Sequence, residues 1–179
     1  TDEFAQKIIN TLKEEGVSEI YLKQTANQPS SFSIILNFKD TLLDKVPISI
    51  LVNRIEPELI KFKPHILYVP APSLHQDHTK VNEACLIACR PTAKHIPEEI
   101  YEYENATYEL GITKGFNPKL FVDITPFIEK KTNTFVSCYP SQAGRFGDKN
   151  PLSTQKMKYW ANFRGIQSGK EYAEAFQIV

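Results

Sequence analysis

Apolar and polar positions along the chain alternate between two spacings. Residues 2–15 carry Phe4, Ile8, Ile9 and Leu12 at helical intervals ahead of Gly16, which predicts an amphipathic helix that stops at the glycine. "EIYLK" (19–23) reads as a short strand, "NQPSS" (27–31) as a turn and "FSIILNF" (32–38) as a second extended piece. Asp44 is placed to cap a helix through "KVPISILVNRIEPELIKF", which Pro57 must kink or split and Lys63-Pro64 must end. "HILYVP" (65–70) is a compact β-rich run of the kind buried in parallel sheets. From Thr79 the spacing of Val81, Ala84, Cys85 and Ala88 is helical again. Strands follow near Ile100 to Tyr103 and at "LFVDI" (120–124), then helices from Pro126 to about Cys138 and over 153–163, and a closing segment "YAEAFQIV".

Strands alternating with helices predict an α/β fold with a mostly parallel sheet covered on both faces, here as one domain spanning 1–179. With 41% apolar residues the chain can bury a core. Its 21 basic residues are scattered and balanced by 21 acidic ones, so nothing points to nucleic acid. No apolar run approaches the roughly 20 residues of a membrane span, and the charged start does not read as a signal peptide. Three cysteines form an odd, sparse set that fits a reducing compartment, so the location expected is cytoplasmic.

Two of the four histidines, His75 and His78, stand three residues apart around Asp77. They fall between a predicted strand and a predicted helix, where α/β sheets bind ligands beyond the carboxyl ends of strands. A neutral imidazole suits zinc, and a carboxylate beside it can fix its tautomer. The same residues also read as a solvated helix start with Asp77 as its cap. Cys85 and Cys89 could complete a four-ligand structural zinc with the histidines, although their positions match the apolar face of the helix. "HIPE" (95–98) has a His-x-x-acid spacing but sits in a proline-containing loop, and His65 reads as structural. Tyr139, Ser141, Gln142 and Arg145 lie in a polar stretch that is either a cover for a pocket or a plain connection. Tyr101, Tyr103 and Tyr108 could stack on a sugar, but "IYEYE" reads more simply as a half-exposed strand, and Arg164-Gly165 as part of the C-terminal turn.

"HILYVPAPSLHQDHTKVNEACLIACRP" resembles the second signature of the PIG-L/LmbE-like family of zinc-dependent N-acetylglucosaminyl de-N-acetylases: strand, short loop, His-x-Asp-His, Ala-rich helix. "NFKDTLLDKVP", "GFNPKLFVDITPFIEKK", "CYPSQ" and "FRGIQSGKEYAEAF" resemble further family segments in the same order, so the likeness covers nearly the whole chain. The resemblance implies a Rossmann-like three-layer sandwich, commonly in homo-oligomers, that hydrolyses an N-acetyl group from an amino sugar or glycoconjugate. It implies His78 as a Zn2+ ligand, His75 as the imidazole that stabilises the oxyanion, Asp77 as the residue that orients and charges His75, and Asp40 as a substrate contact. The family's first signature, roughly Ala-His-Pro-Asp-Asp-Glu, supplies its other zinc ligands and general base, and it does not occur in this chain. The expectation is therefore an N-terminally incomplete deacetylase domain whose first strands are missing; the alternative is a non-catalytic binding or assembly module that keeps the fold without a complete zinc site.

Overall fold

The computed structural model describes residues 24–25, 28–29, 36, 38–105, 115–144 and 147–179. Tertiary contacts group the chain into two compact units, 1–64 with 80–96 and 65–79 with 97–179. The helix predicted at 2–15, the strand at 19–23 and most of the extended piece at 32–38 lie outside the described residues.

In the first unit β1 (Gln24–Thr25) pairs antiparallel with β2 (Gln28–Pro29), so the stretch read as a turn holds the returning strand. Asp44 falls inside a 3-10 turn, Leu43–Lys45, and does not cap the next helix: α1 (Ile48–Phe62) begins behind Pro47. It buries Leu51, Val52, Ile55 and Leu59, a single stripe at helical spacing. Pro57 does not split it. Proline removes the N–H that would bond the Asn53 carbonyl one turn back, and both residues are exposed, on the side of the helix away from its buried stripe. The helix closes at Lys63, whose φ is 47° and whose N–H donates to the Leu59 carbonyl at 2.8 Å. The helix expected from Thr79 is α2 (Gln76–Ala88); from Lys80 onward it belongs to this unit and buries Ala84, Cys85 and Ala88.

The second unit is built on a four-stranded sheet of β3 (Ile66–Pro70), β4 (Glu99–Tyr103), β5 (Leu120–Asp123) and β6 (Ala173–Ile178), in the order β3-β4-β6-β5. β3 and β4 are parallel, with Pro70 opposite Tyr103, while β6 is antiparallel to both β4 and β5. Three strands thus run one way and β6 runs against them, so the sheet is mixed and only one of its ladders is parallel. The reversal is local. Helix α5 (Thr154–Ser168) stops at Gly169, in the left-handed region with φ 71°, and the chain folds back tightly over Gly165. A Cβ at Gly165 would sit 2.5 Å from the Glu171 carbonyl oxygen, so no larger residue fits there. The turn delivers the closing segment into the sheet interior against its neighbours.

A 3-10 turn at Thr125–Phe127 leads into α3 (Ile128–Cys138) and the short α4 (Pro140–Ala143). Ile124, Ile128 and Ala161 form a buried cluster with Tyr172 packed against it. β3 is buried only at its carboxyl end, Val69 and Pro70, whereas Ile66 and Tyr68 are exposed. Among the described residues no helix is long and apolar enough to cross a membrane.

Candidate active site

The loop that leaves β3 starts at the carboxyl edge of the β3–β4 pair, where the Ala71 N–H donates to the Tyr103 carbonyl at 2.8 Å. Ser73, His75, Asp77 and His78 follow within it and within the first turn of α2. The histidine carbonyl just before the helix, that of His75, accepts the N–H groups of His78 (3.1 Å) and Thr79 (3.5 Å). The His75 ring accepts the Asp77 N–H at Nδ1, 3.3 Å away. Capping of the second helical N–H is the usual work of a Ser, Asp or Asn side chain; here the imidazole does it, and Asp77 supplies the N–H. With Nδ1 used as an acceptor, neutral His75 carries its proton on Nε2 and offers a donor there.

The His75 and His78 rings are stacked, with centroids 4.8 Å apart and planes 26° from parallel. His78 Nδ1 lies 2.8 Å from Ser73 Oγ, and the same hydroxyl accepts the His75 N–H at 3.1 Å. The Ser73 carbonyl in turn accepts from Thr79 Oγ1 at 3.3 Å. Asp77 is buried, and the two imidazoles are half-buried. Ser73 is absent from the sequence-based candidates; only its place in "PSLHQDH", two residues before His75, could have marked it as a hydroxyl able to fold back on the histidines.

The other candidates separate from this cluster. Asp40 lies in an exposed turn of the first unit. Cys85 and Cys89 are buried. Burial, together with the neighbouring Cys89, pushes the Cys85 thiol up to about 12, and burial pushes Cys89 up to about 11. Both remain protonated at neutral pH and pack as small apolar groups. "HIPE" is divided between two partners: His95 Nε2 bonds the Pro64 carbonyl at 2.9 Å, and Glu98 pairs with His65 at 3.1 Å.

Arg164 does more than serve a turn. Buried to 8% exposure, it binds Glu104 through two nitrogens (2.8 and 2.5 Å) and Gln167 at 2.7 Å, with the rings of Phe116, Trp160 and Phe163 around its guanidinium. Glu104 directly follows β4, so this pair fixes the same sheet edge from which the histidine loop departs. The strand "IYEYE" is not simply half-exposed, since Glu102 is buried and accepts from Gln177 Nε2 at 2.9 Å. Tyr108 and Arg145 lie outside the described residues. The described end of the polar stretch that begins at Tyr139 is pinned by Asn150, whose amide donates to the carbonyls of Gln142 (2.8 Å) and Ala143 (2.7 Å).

Catalytic zinc takes three protein ligands plus water. Among the described residues no group of three His, Cys, Asp or Glu is arranged to hold a metal ion. The described residues alone do not fit a zinc centre.

No protein-family profile matches the sequence, and no curated protein matches it. Solved structures do. N,N'-diacetylchitobiose deacetylase from Pyrococcus horikoshii aligns with a TM-score of 0.60 and 20% identity over 80% of this chain and 55% of its own. The zinc-inhibited form of teicoplanin deacetylase Orf2 aligns with a TM-score of 0.57 and 15% identity over 88% of this chain and 60% of its own. GalB, the 4-carboxy-2-hydroxymuconate hydratase of Pseudomonas putida KT2440, aligns with a TM-score of 0.53 and 20% identity over 73% of this chain and 58% of its own. The chain therefore has the mixed α/β fold found in these deacetylases, and it spans between 55% and 60% of the length of the three structures.

Proposed function

We propose that the protein is a hydrolase that removes the N-acetyl group from an N-acetylglucosamine-type sugar or conjugate. The observation that carries this reading is the stacked His75–His78 pair, held by Ser73 and the Asp77 N–H at the carboxyl edge of the sheet. The ordered likeness to the de-N-acetylase segments and the two deacetylases among the structural neighbours support it. Deacetylation adds the oxygen of water to the acetamide carbon, breaks the C–N bond and releases acetate and the amine. The His75 Nε2–H is a donor suited to the carbonyl oxygen as negative charge grows on it, and Asp77 holds that ring through its backbone N–H. His78 is the residue we assign to zinc, and Asp40 is assigned a substrate contact. Zinc at His78 requires ligands other than those brought together among the described residues.

The same finding favours a second reading, a non-catalytic module that keeps the fold. The hydratase neighbour adds that this fold also serves water addition without an acetamide. Acetate release separates these readings. We expect the protein, supplied with zinc, to release acetate from N-acetylglucosamine or its disaccharide, with loss of zinc and of acetate release in His78→Ala. Absence of acetate release with every N-acetylglucosamine compound, together with absence of stoichiometric zinc, would leave the binding module as the reading.

A further inference from the structure

We infer that a cavity in the first unit, between one face of α1 and the chain that leaves α2, is a binding site for a small monocarboxylate with an apolar body. The cavity measures about 390 Å3, within the range of small-ligand pockets. One wall is α1 itself, where Asn53, Glu56, Pro57 and Ile60 stand at helical spacing on a single face. The other wall is the turn after α2, in which the Arg90 N–H donates to the Ile87 carbonyl (3.2 Å) and the Ala93 N–H to the Arg90 carbonyl (2.8 Å). His95 ends this wall, its Nε2–H donating to the Pro64 carbonyl at 2.9 Å. Every lining residue belongs to the first unit. His75, Asp77 and His78 are not among them, so the site stands or falls apart from the deacetylase reading.

The lining divides by chemistry. Leu59 and Ala88, both buried, form an apolar base that the exposed Pro57 and Ile60 extend along α1. Two full cations stand around it, and one of them is spent. Arg90 crosses to the Glu56 carboxylate on α1 and donates from the same nitrogen to the Ile87 carbonyl at 3.2 Å. The Lys94 ammonium has no polar partner among the described residues, and neither have the Thr92 hydroxyl and the Asn53 side-chain amide. With Arg90 balanced by Glu56, the charge left to a ligand is that of Lys94, and a single negative charge answers it. A second negative charge would face the Glu56 carboxylate with nothing to offset it, which favours a carboxylate over a phosphate dianion. The hydroxyl and the amide supply neutral donors for the carboxylate oxygens, and the apolar base takes a chain or ring of a few carbons.

The test is a titration of the full 179-residue chain, labelled with nitrogen-15, with sodium hexanoate, read from the amide signals of residues 53–60 and 88–95. Hexanamide, acetate and inorganic phosphate are the comparison probes. We expect hexanoate to move those signals with a millimolar Kd, hexanamide to bind more weakly, and affinity to fall by up to about fourfold for each methylene removed on the way to acetate. Lys94→Glu, at an exposed position with no partner to lose, is expected to weaken hexanoate at least about fivefold and to leave hexanamide unchanged. Ile60→Ser, also exposed, is expected to erase most of the gain from chain length while keeping the preference for carboxylate over amide. Hexanoate that moves none of these signals at tens of millimolar overturns the inference. So do hexanamide binding as tightly as hexanoate, signal changes spread equally over the second unit, and a Lys94→Glu protein that binds hexanoate undiminished. Phosphate bound more tightly than hexanoate at the same residues overturns the ligand class. The comparison of hexanoate with hexanamide needs no variant, so the outcome does not depend on either variant folding.

Discussion

The two ends of α2 carry rival pairs of zinc-type side chains, and their surroundings could hardly differ more. At the amino end His75 and His78 are half-buried and stacked, with ring nitrogens bonded to a hydroxyl and a backbone N–H. Toward the carboxyl end Cys85 and Cys89 are buried, their thiols driven up to about 12 and about 11. Spacing alone makes both pairs plausible ligands. Solvation and hydrogen bonding tell them apart: a group that must carry charge or bind an ion needs polar neighbours, and the cysteines are placed where only the neutral form is tolerated.

The largest effect that could break this contrast is catalytic. If the amino end is the working end, His75→Ala lowers acetate release by about 100- to 10,000-fold, the range for a positioned proton donor, while Cys89→Ser changes it only a few-fold. Comparable losses in both variants would place chemistry at the cysteines after all. Next in size is Arg164, a charge that is as buried as the thiols but fully partnered. Removing it in Arg164→Ala strands the Glu104 carboxylate and is expected to cost about 3–5 kcal/mol in denaturant unfolding. A loss under 1 kcal/mol would mean that the Glu104 carboxylate finds water or another partner once Arg164 is gone.

Smaller still, Cys85→Ser puts a hydroxyl where a thiol packs and should destabilise the fold by about 1–3 kcal/mol, with Cys85→Ala as the apolar control. The smallest effect is in pH dependence. A thiol whose folded pKa lies above its ordinary value of 9.0 keeps its proton in the native state after the unfolded chain has lost it. The contribution of these thiols is therefore constant below pH about 9 and declines as pH rises from there toward about 11 to 12. The melting temperature should fall across that window and fall less in Cys85→Ala/Cys89→Ala. An identical fall in the double variant would assign the alkaline loss to other groups.

Much of the fold could be read from periodicity. The stripe Leu51, Val52, Ile55 and Leu59 marks α1, and the run before His75 marks β3. What periodicity missed follows a physical pattern. Pro57 does not split α1, although a split was one of the two outcomes expected, because a sequence shows the lost N–H but not that the residue falls on an exposed face of a helix held by its buried stripe. Glu102 was read as an exposed alternation, because its partner Gln177 lies 75 positions away in the chain. The direction of β6 depends on the tight reversal over Gly165 and Gly169, which a list of strands does not convey.

The same division runs through the candidate site. Local sequence determined which chemistry is available: two imidazoles and a carboxylate, delivered by a strand and a short loop to the start of a helix, because spacing and residue type are properties of neighbours in the chain. Only the tertiary structure decided how those groups are used. It bent Ser73 back onto both histidines, made His75 the cap of α2, buried the cysteines so that their thiols stay protonated at neutral pH and paired Arg164 with Glu104 across 60 positions of sequence. Hydrogen-bond partners and solvation are set by what folding brings near, and no local pattern encodes them.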